Sequence, residues 1–268
     1  MTETEANRKH SDLPVVLLCG GRGRRLRPLT DETPKPLLEI DGNPIVHHIM
    51  ENFSRHGFDD FVLCLGYKSE AFEQYFGGLA GEYTDGGSVE LSSASTFRGV
   101  GSNDWDVTLV DTGLETSKSE RLLQVRDHID ADRFLLTYGD GLADVNVEQL
   151  VEHHEENGTV GTVTGVKAPS SFGVLETDGD SVSAVQEKPL TSKRINVGFF
   201  VFETTVFDSL SADRELEQDT LNELADRGEL GIYRHDGFFK GVDTRKGLDK
   251  VRKISTEKDD LPWLGGEP

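Results

Sequence analysis

The chain has 268 residues, of which 35% are hydrophobic, so it can bury a substantial core. Its 49 Asp and Glu residues against 28 Lys and Arg give a formal net charge of −21, which disfavours nucleic acids and anionic membranes as partners. The acidic residues are spread along the chain and do not form a tail. This pattern suits a halophilic protein, because repulsion among the acidic side chains is screened beyond about 3 Å in 1 M salt. The alternative is an acidic protein that is not adapted to salt.

Three features of the sequence bear on the compartment. No stretch of about 18 uncharged apolar residues could cross a bilayer, and the first dozen residues lack the apolar segment of a signal peptide. Cys19 and Cys64 each lie in a short apolar run, which predicts buried thiols in strands and not a disulfide or a metal site. We therefore expect a cytoplasmic protein.

Apolar runs alternate with helix-like segments through the first half, which predicts a parallel sheet covered by helices. The predicted strands of this half are 15–19, 61–65, 107–110 and 134–138. The predicted helices are 45–56 behind Pro44, 69–76 ended by Gly77-Gly78, and 119–127.

The second half is richer in predicted strands, which alternate or run apolar between turn signals. These strands are 159–166, 174–176, 182–186 and 197–202, and short helices are predicted around 205–210 and 220–227, with a last one after Asp243. We find no repeat and no low-complexity linker. Residues 1–13 are predicted to be a disordered tail, and 14–268 to form a single domain.

A loop rich in glycine and arginine follows the first predicted strand, with the sequence Gly20-Gly21-Arg22-Gly23-Arg24-Arg25-Leu26-Arg27. Glycines let the backbone turn and expose its N–H groups to an anion, and guanidinium groups suit phosphate oxygens. The loop lacks the Gly-Lys-Ser/Thr of a Walker A motif, and Leu26 replaces the third glycine of a dinucleotide fingerprint. A basic surface loop is the alternative; we favour a site for a nucleoside triphosphate.

Two carboxylates stand where a sheet of this kind binds its ligands. Asp140 lies between two glycines directly after the strand 134–138, at an edge where open α/β sheets hold ligands. Asp243 follows an apolar stretch and precedes a predicted helix. Taken alone, Asp140 could be part of an ordinary Asp-Gly turn, and Asp243 a helix N-cap.

The loop, together with Pro34-Lys35-Pro36-Leu37, resembles the signature of the sugar-1-phosphate nucleotidylyltransferases, Gly-Gly-x-Gly-Thr-Arg-Leu-x-Pro-Leu-Thr followed by Pro-Lys-Pro-Leu. Arg24 stands where the family has threonine. The resemblance implies an α/β fold with a Rossmann-like, mixed but mainly parallel sheet of the nucleotidyltransferase (glycosyltransferase-A-like) type. It also implies a sugar-binding part integrated into the single domain. In this family Mg²⁺ is held by two aspartates, which Asp140 and Asp243 match.

The resemblance further implies roles for individual residues. Arg25, Lys35 and Lys188 would be catalytic. The nucleotide would be bound by Leu18, Cys19, Gly20, Gly21, Arg22, Gly23, Arg24, Arg25, Lys35, Thr116, Arg121 and Gly139. The sugar phosphate would be bound by Gly173, Glu187, Lys188 and Asn196, which match the family's Phe-Gly, Glu-Lys-Pro and Asn-x-Gly elements.

Several stretches resemble the glucose-1-phosphate cytidylyltransferases within this family, among them 105–113, 137–141 and 195–200. The resemblance implies transfer of a cytidylyl group from CTP to α-D-glucose 1-phosphate, and a homo-oligomer. Residues 117–120 depart from the family's glycine-rich pattern and could shift Thr116. Use of dTTP, UTP or GTP is the nearer alternative. A non-catalytic relative that binds sugar nucleotides is the other, although it would be expected to lose a metal carboxylate or a phosphate-binding lysine.

Two pairs of adjacent histidines, His47-His48 and His153-His154, raise the question of a metal site. Neighbouring residues of a helix point about 100° apart and cannot easily share one ion. We expect these histidines at the surface or at its boundary.

Overall fold

The computed structural model of the protein describes residues 13–81, 94–170, 172–258 and 260–265, so residues 1–12 of the predicted tail lie outside it. The strands within these ranges are β1 (Val15–Leu18), β2 (Glu39–Ile40), β3 (Asn43–Pro44), β4 (Asp60–Leu65), β5 (Ala94–Val100), β6 (Trp105–Asp111), β7 (Arg133–Tyr138), β8 (Gly141–Ala143), β9 (Gly161–Pro169), β10 (Val174–Asp178), β11 (Ser181–Gln186), β12 (Leu190–Glu203), β13 (Leu230–His235) and β14 (Phe239–Gly241). The α-helices there are α1 (Ile45–Ser54), α2 (Ser69–Leu79), α3 (Lys118–Val125), α4 (Val147–Asn157), α5 (Leu221–Asp226) and α6 (Arg245–Glu257).

An eight-stranded sheet forms the centre of the molecule, in the order β13-β9-β12-β7-β1-β4-β6-β5. Its parallel pairs are β1 with β4, β1 with β7, β4 with β6, and β9 with β13. The strand β12 runs antiparallel to both β7 and β9, and β5, the last of the described strands in this order, runs antiparallel to β6. The predicted mixed, mainly parallel sheet is therefore confirmed.

Helices cover both faces of this sheet and create two hydrophobic layers. Val15 and Leu17 of β1 pack in the layer under α1, α2, α4 and α6, whereas Val16 packs in the layer under α3 and α5. Because side chains alternate along a strand, β1 must be apolar on both faces. The central strands therefore read as continuous apolar runs in the sequence.

The predicted strands are present, most of them one to three residues longer than predicted, and β12 begins seven residues earlier. The prediction that Gly77-Gly78 ends the second helix is wrong, because α2 continues to Leu79. Gly81, with φ of 74°, is the glycine that takes the left-handed conformation after this helix. The segment predicted as a helix at 205–210 is a 3₁₀ turn, Thr204–Ser209.

Helix α4 and strands β5 and β13 were not predicted, although α4 carries recognisable end signals. The side chain of Asn146 accepts a hydrogen bond from the backbone N–H of Gln149 at 2.9 Å, and Gly158 ends the helix with φ of 60°. None of the helices within the described residues is long and apolar enough to cross a membrane.

The expectation of surface histidines is wrong for one member of each pair. His48 is buried and its Nε2 lies 2.8 Å from the carbonyl oxygen of Ile40; His154 is also buried and contacts Thr162 and Glu203. One residue of each pair faces the core because adjacent helical positions diverge. Among the described residues, no group of three or more His, Cys, Asp or Glu could hold a metal ion.

Both cysteines are buried free thiols, as the sequence predicts: Cys64 lies in β4 and Cys19 directly follows β1.

Candidate active site

A cleft of about 490 Å³ opens where β1 and β7 end side by side. Its lining consists of Leu18, Gly20, Gly21, Leu114, Thr116, Lys118, Arg121, Tyr138, Asp140, Gly141, Asn196, Val197, Phe239, Gly241 and Asp243. A smaller recess of about 100 Å³ adjoins it and is lined by Leu18, Cys19, Gly21, Gly23, Lys35, Pro36, Gly139 and Asp140. The two cavities share three of these residues, so the glycine-rich loop and the carboxylates border one continuous space.

The glycine-rich loop is held at both ends. The backbone N–H of Cys19 donates to the carbonyl oxygen of Cys64 at 2.9 Å, and the hydroxyl of Thr30 donates to the carbonyl oxygen of Gly23 at 3.0 Å. Gly23 has φ of 57°, and a Cβ there would lie 3.0 Å from the Cβ of Lys35. Glycine at this position therefore lets the loop pass close to Lys35.

Lys35 joins the two carboxylates that the sequence singled out. Its ammonium nitrogen lies 2.6 Å from Oδ2 of Asp140 and 2.9 Å from Oδ1 of Asp243, and the same Oδ1 accepts from Nη2 of Arg25 at 2.8 Å. Burial alone would raise the pKa of Asp243, but the hydrogen bond and charge of Lys35, with the charge of Arg25, hold that pKa below its usual value. Two negative and two positive charges thus meet at the border of the cleft.

A small antiparallel ribbon brings the two aspartates together. Gly141 of β8 pairs with Gly241 of β14, and the backbone N–H of Val242 donates to the carbonyl oxygen of Asp140 at 2.9 Å. The N-cap of α6 is Thr244, whose hydroxyl oxygen accepts from the N–H of Gly247 at 3.1 Å. Asp243 is therefore not the cap of this helix, and its carboxylate is directed to Lys35.

Arg121 lies beneath the other end of the cleft. It is 5% exposed, and its Nη1 donates to the carbonyl oxygen of Leu65 at 2.7 Å and to the hydroxyl of Thr112 at 2.5 Å. A Cβ at Gly20 would lie 2.1 Å from this Nη1, so the guanidinium packs directly against the loop backbone. Burial lowers the pKa of Arg121. Thr116 also lines the cleft, and its hydroxyl donates to the carbonyl oxygen of Thr112 at 2.5 Å.

Neither the loop arginines, Arg25 included, nor most of the predicted sugar-phosphate residues line either cavity. Nη2 of Arg22 pairs with Oε1 of Glu115 at 2.6 Å, and Arg24 is exposed. Asn196 lines the cleft, whereas Gly173, Glu187 and Lys188 do not. These three residues lie together at the base of the β10–β11 hairpin: a Cβ at Gly173 would lie 3.3 Å from Oε2 of Glu187, and Glu187 pairs with Lys188 at 3.3 Å.

Residues 14–233 match the family model described as nucleotidyl transferase. This chain belongs to that family. It is 40% identical over 245 residues to a protein of Bacillus subtilis named probable glucose-1-phosphate cytidylyltransferase, covering 90% of this chain and 96% of the relative. It is 37% identical over 255 residues to the glucose-1-phosphate cytidylyltransferase of Salmonella typhi, covering 94% and 98%. The structure of HddC from Yersinia pseudotuberculosis superposes with a TM-score of 0.67 at 20% identity, over 90% of this chain and 98% of the other, and so shares the fold.

The nucleotidyl transferase site also contains a charged network that our sequence analysis missed. The hydroxyl of Tyr138 donates to Oε1 of Glu217 at 2.5 Å, and the same oxygen pairs with Lys118, whose ammonium lies 4.8 Å from the centre of the Tyr138 ring. Burial and the neighbouring Glu217 raise the pKa of Tyr138. Gly198, with φ of 90°, lets this ring pack on the backbone, because a Cβ there would lie 2.2 Å from it.

Only Tyr138 of this network carried a usable sequence signal, since it directly precedes Gly139-Asp140. Lys118 and Glu217 are 99 positions apart, and no local pattern relates them.

The charges in this nucleotidyl transferase suit the binding of a polyphosphate. Arg25 and Lys35 place two cations beside the glycine-rich loop, and the two aspartates supply oxygen donors beside them. Hard divalent cations such as Mg²⁺ are held by one or two carboxylates plus phosphate oxygens. The carboxylates of Asp140 and Asp243 supply only oxygen donors and already converge on the ammonium nitrogen of Lys35, so they fit such an ion.

Proposed function

We propose that this nucleotidyl transferase moves a cytidylyl group from CTP to α-D-glucose 1-phosphate, giving CDP-glucose and diphosphate. The observation that carries the proposal is the similarity, over nearly the full length of both chains, to two proteins named for this reaction. The geometry supports the chemistry independently, because the glycine-rich loop, Asp140 and Asp243 line one cleft, and the cations Lys35 and Arg25 pair with these carboxylates.

In the proposed reaction a phosphate oxygen of glucose 1-phosphate attacks the α-phosphorus of CTP in line, and diphosphate leaves. The attacking phosphate needs no general base, since its second pKa is about 6 and it is largely ionised at neutral pH. Catalysis then consists of positioning the two substrates and neutralising charge on the phosphates. Cationic side chains and exposed backbone N–H groups can both position the substrates and neutralise this charge.

We assign Mg²⁺ to Asp140 and Asp243, whose carboxylates converge on the ammonium of Lys35. Bound there, the ion would neutralise phosphate charge during transfer. The triphosphate is assigned to the backbone and guanidinium groups of 20–25 and to Lys35, with Arg25 and Lys35 acting at the reacting phosphates. Arg22 and Arg24 would add positive charge around the loop.

We assign the nucleoside to Leu18, Cys19, Gly139, Thr116 and Arg121, which border the cleft or the adjoining recess. Four of these line one of the two cavities directly, and the fifth, Leu18, lines both. The buried guanidinium of Arg121 supports the loop backbone from below, so its contribution includes fixing the position of Gly20.

We assign the glucose phosphate to Asn196, which lines the cleft, and to Gly173, Glu187 and Lys188 at the base of the β10–β11 hairpin. In this assignment Lys188 pairs with the phosphate and Glu187 with sugar hydroxyls. Both side chains are exposed and so are accessible to a ligand.

We further propose that the protein is a homo-oligomer and works in a reducing cytoplasm. The buried free thiols of Cys19 and Cys64 support the compartment. A purely sugar-nucleotide-binding role is disfavoured because Lys35, Asp140, Asp243 and Lys188 are all retained.

The direct test is product identification. The purified protein, incubated with CTP, glucose 1-phosphate and Mg²⁺, should form CDP-glucose and diphosphate, detected by ³¹P NMR and mass spectrometry. The Asp140→Asn protein serves as the matched control for contaminating activities. Absence of CDP-glucose from the wild-type reaction would refute the proposed activity and favour the binding-only alternative.

A further inference from the structure

Tyr138, Glu217 and Lys118 form a network at the cleft to which the proposed function gives no role. Tyr138 and Lys118 line the cleft, whereas Glu217 lines neither cavity. One carboxylate oxygen of Glu217 accepts from the Tyr138 hydroxyl at 2.5 Å and also pairs with the ammonium of Lys118. Glu217 therefore restrains two groups of the cleft wall without reaching the cavity itself.

The backbone around Glu217 has an unusual conformation that is anchored in the core. The N–H of Thr220 donates to the carbonyl oxygen of Glu215 at 3.3 Å, five residues earlier, so Leu216–Thr220 forms a π-helical turn. Such turns are rare and are frequent at functional sites. Leu216 and Thr220 are fully buried, which fixes the turn on both sides of Glu217.

Glu217 is ionised in this network and Tyr138 is a neutral phenol. Burial would raise the pKa of Glu217, but the hydrogen bonds from Lys118 and Tyr138 hold that pKa below its usual value. Burial and the adjacent Glu217 raise the pKa of Tyr138. The phenol therefore donates its proton to Glu217, and its oxygen remains able to accept from a second partner.

The second partner is Asn196, which lines the cleft. Its side-chain hydrogen bond to Tyr138 opposes part of the rise in the pKa of this phenol, which is the effect of a donor. The oxygen of the same amide is also fixed, because it accepts from the N–H of Gly198 at 2.8 Å. The Tyr138 hydroxyl and the Gly198 backbone thus hold the Asn196 amide in one orientation.

We propose that Glu217 and Tyr138 are positioning residues for the sugar phosphate. Glu217 orients the Tyr138 hydroxyl, and this hydroxyl holds the Asn196 amide in the orientation that meets the substrate. The inference rests on the proposed function, which assigns Asn196 to glucose 1-phosphate. Without the hydroxyl the amide can rotate, so binding of the sugar phosphate should weaken more than binding of CTP.

The test is the Kd of glucose 1-phosphate, measured by calorimetry on the full chain with Mg²⁺ and a CTP analogue. The analogue has a methylene group between its α- and β-phosphorus atoms and cannot transfer its cytidylyl group. Tyr138→Phe removes only the hydroxyl and should raise this Kd by about fivefold, the effect of one hydrogen bond. The Kd of the CTP analogue should stay within about twofold of the wild-type value, since the change amounts to far less than one hydrogen bond.

Combined variants distinguish positioning from a merely structural role. Glu217→Ala should also raise the Kd of glucose 1-phosphate, but it should add nothing to Tyr138→Phe, because Glu217 acts through the hydroxyl. Likewise, Tyr138→Phe should add nothing to Asn196→Ala. A merely structural role predicts additive effects and weaker binding of the CTP analogue as well. Circular dichroism melts establish that each variant is folded.

Tyr75→Phe is the matched control, because it removes a phenol that lies outside the cleft and 2.8 Å from Nδ1 of His47. Both Kd values should remain those of the wild type. Equal Kd values of glucose 1-phosphate for the wild-type and Tyr138→Phe proteins, or a further rise when Tyr138→Phe is added to Asn196→Ala, would overturn the inference. Binding does not depend on turnover, so a wild-type protein that forms no CDP-glucose would refute the proposed activity and leave this result standing.

Discussion

The ammonium of Lys35 stands between the carboxylates of Asp140 and Asp243, where the proposed function places a divalent cation. The lysine and the ion therefore compete for the same oxygens in the protein without nucleotide. A bound triphosphate offers the ammonium other partners. Binding of the metal and of CTP should consequently support each other.

Replacing Lys35 by methionine separates its competition with the metal ion from its contribution to CTP binding. In the Lys35→Met protein without nucleotide, Mn²⁺ should bind more tightly, by about tenfold, if the removed charged hydrogen bond is worth about 1.5 kcal/mol. CTP should bind more weakly, since a phosphate-binding cation is lost. Electron paramagnetic resonance measures free Mn²⁺, and calorimetry measures CTP binding. Unchanged or weaker Mn²⁺ binding in this variant would show that Lys35 does not compete with the ion.

The carboxylates themselves should be indispensable for turnover. Asp140→Asn and Asp243→Asn each remove a charge that would hold Mg²⁺ against the phosphates, so each should abolish most of kcat at saturating Mg²⁺. Both side chains are partly exposed, and the variants should stay folded. The measurement is steady-state kinetics with a thermal melt of each variant. Full activity in either variant would remove that residue from the proposed site.

At the scale of elements, the loop after β1 depends on close packing between a glycine and the buried guanidinium of Arg121. A Cβ at Gly20 would overlap this guanidinium, whereas a Cβ at Gly21 meets no atom within 4 Å. Overpacking costs about 1–3 kcal/mol, and 1 kcal/mol shifts Tm by about 2–4 °C in a chain of this size. Gly20→Ala should therefore lower Tm by at least about 2 °C, and Gly21→Ala should leave it unchanged. Equal melting points for the two variants would contradict this packing.

The elements that the sequence predicted are those whose burial leaves a local signal. Strands β1, β4 and β7 are buried on both faces and read as short apolar runs bounded by glycine or polar residues. Helix α4 was missed because its apolar stripe of Val147, Leu150 and Val151 is narrow, although Asn146 and Gly158 mark its ends. Strand β5 was missed because its burial does not alternate: Phe97 and Val100 are buried three positions apart, and the register with β6 shifts between them.

The residues of the candidate site likewise divide into those that have a local sequence signal and those that have none. The loop and the two aspartates were identified from contiguous motifs at strand ends, and the structure brings them to one space. The ion pairs of Lys35 with Asp140 and Asp243, and of Lys118 with Glu217, join residues about 100 to 200 positions apart. Such contacts form because the order of the strands in the sheet brings distant segments together. A single sequence does not reveal them, because it does not give this order.

At the scale of the whole molecule, the dispersed charge of −21 should make stability depend on salt. Self-repulsion destabilises a compact chain, and screening relieves it. If the acidity is an adaptation to salt, Tm should rise between dilute buffer and 1 M KCl, measured by calorimetry with sucrose as a non-ionic control. A flat or falling Tm would leave the acidity without this explanation.

The choice of nucleobase is the most demanding part of the proposed function. The loop, Lys35 and the aspartates match motifs shared by the whole family, so they cannot select cytosine. Cytosine presents an amino donor where uracil and thymine present an oxygen acceptor. A buried carbonyl that pairs with the amino group would lose its partner with UTP, at a cost of about 1–3 kcal/mol.

The measurement that tests this claim most directly is diphosphate release from CTP, UTP, dTTP and GTP, each with glucose 1-phosphate and Mg²⁺. One unpaired carbonyl corresponds to roughly a tenfold difference in kcat/KM. We predict that kcat/KM for CTP exceeds that for UTP and for dTTP by at least about tenfold. A protein that used UTP or dTTP better than CTP would contradict the cytidylyl assignment.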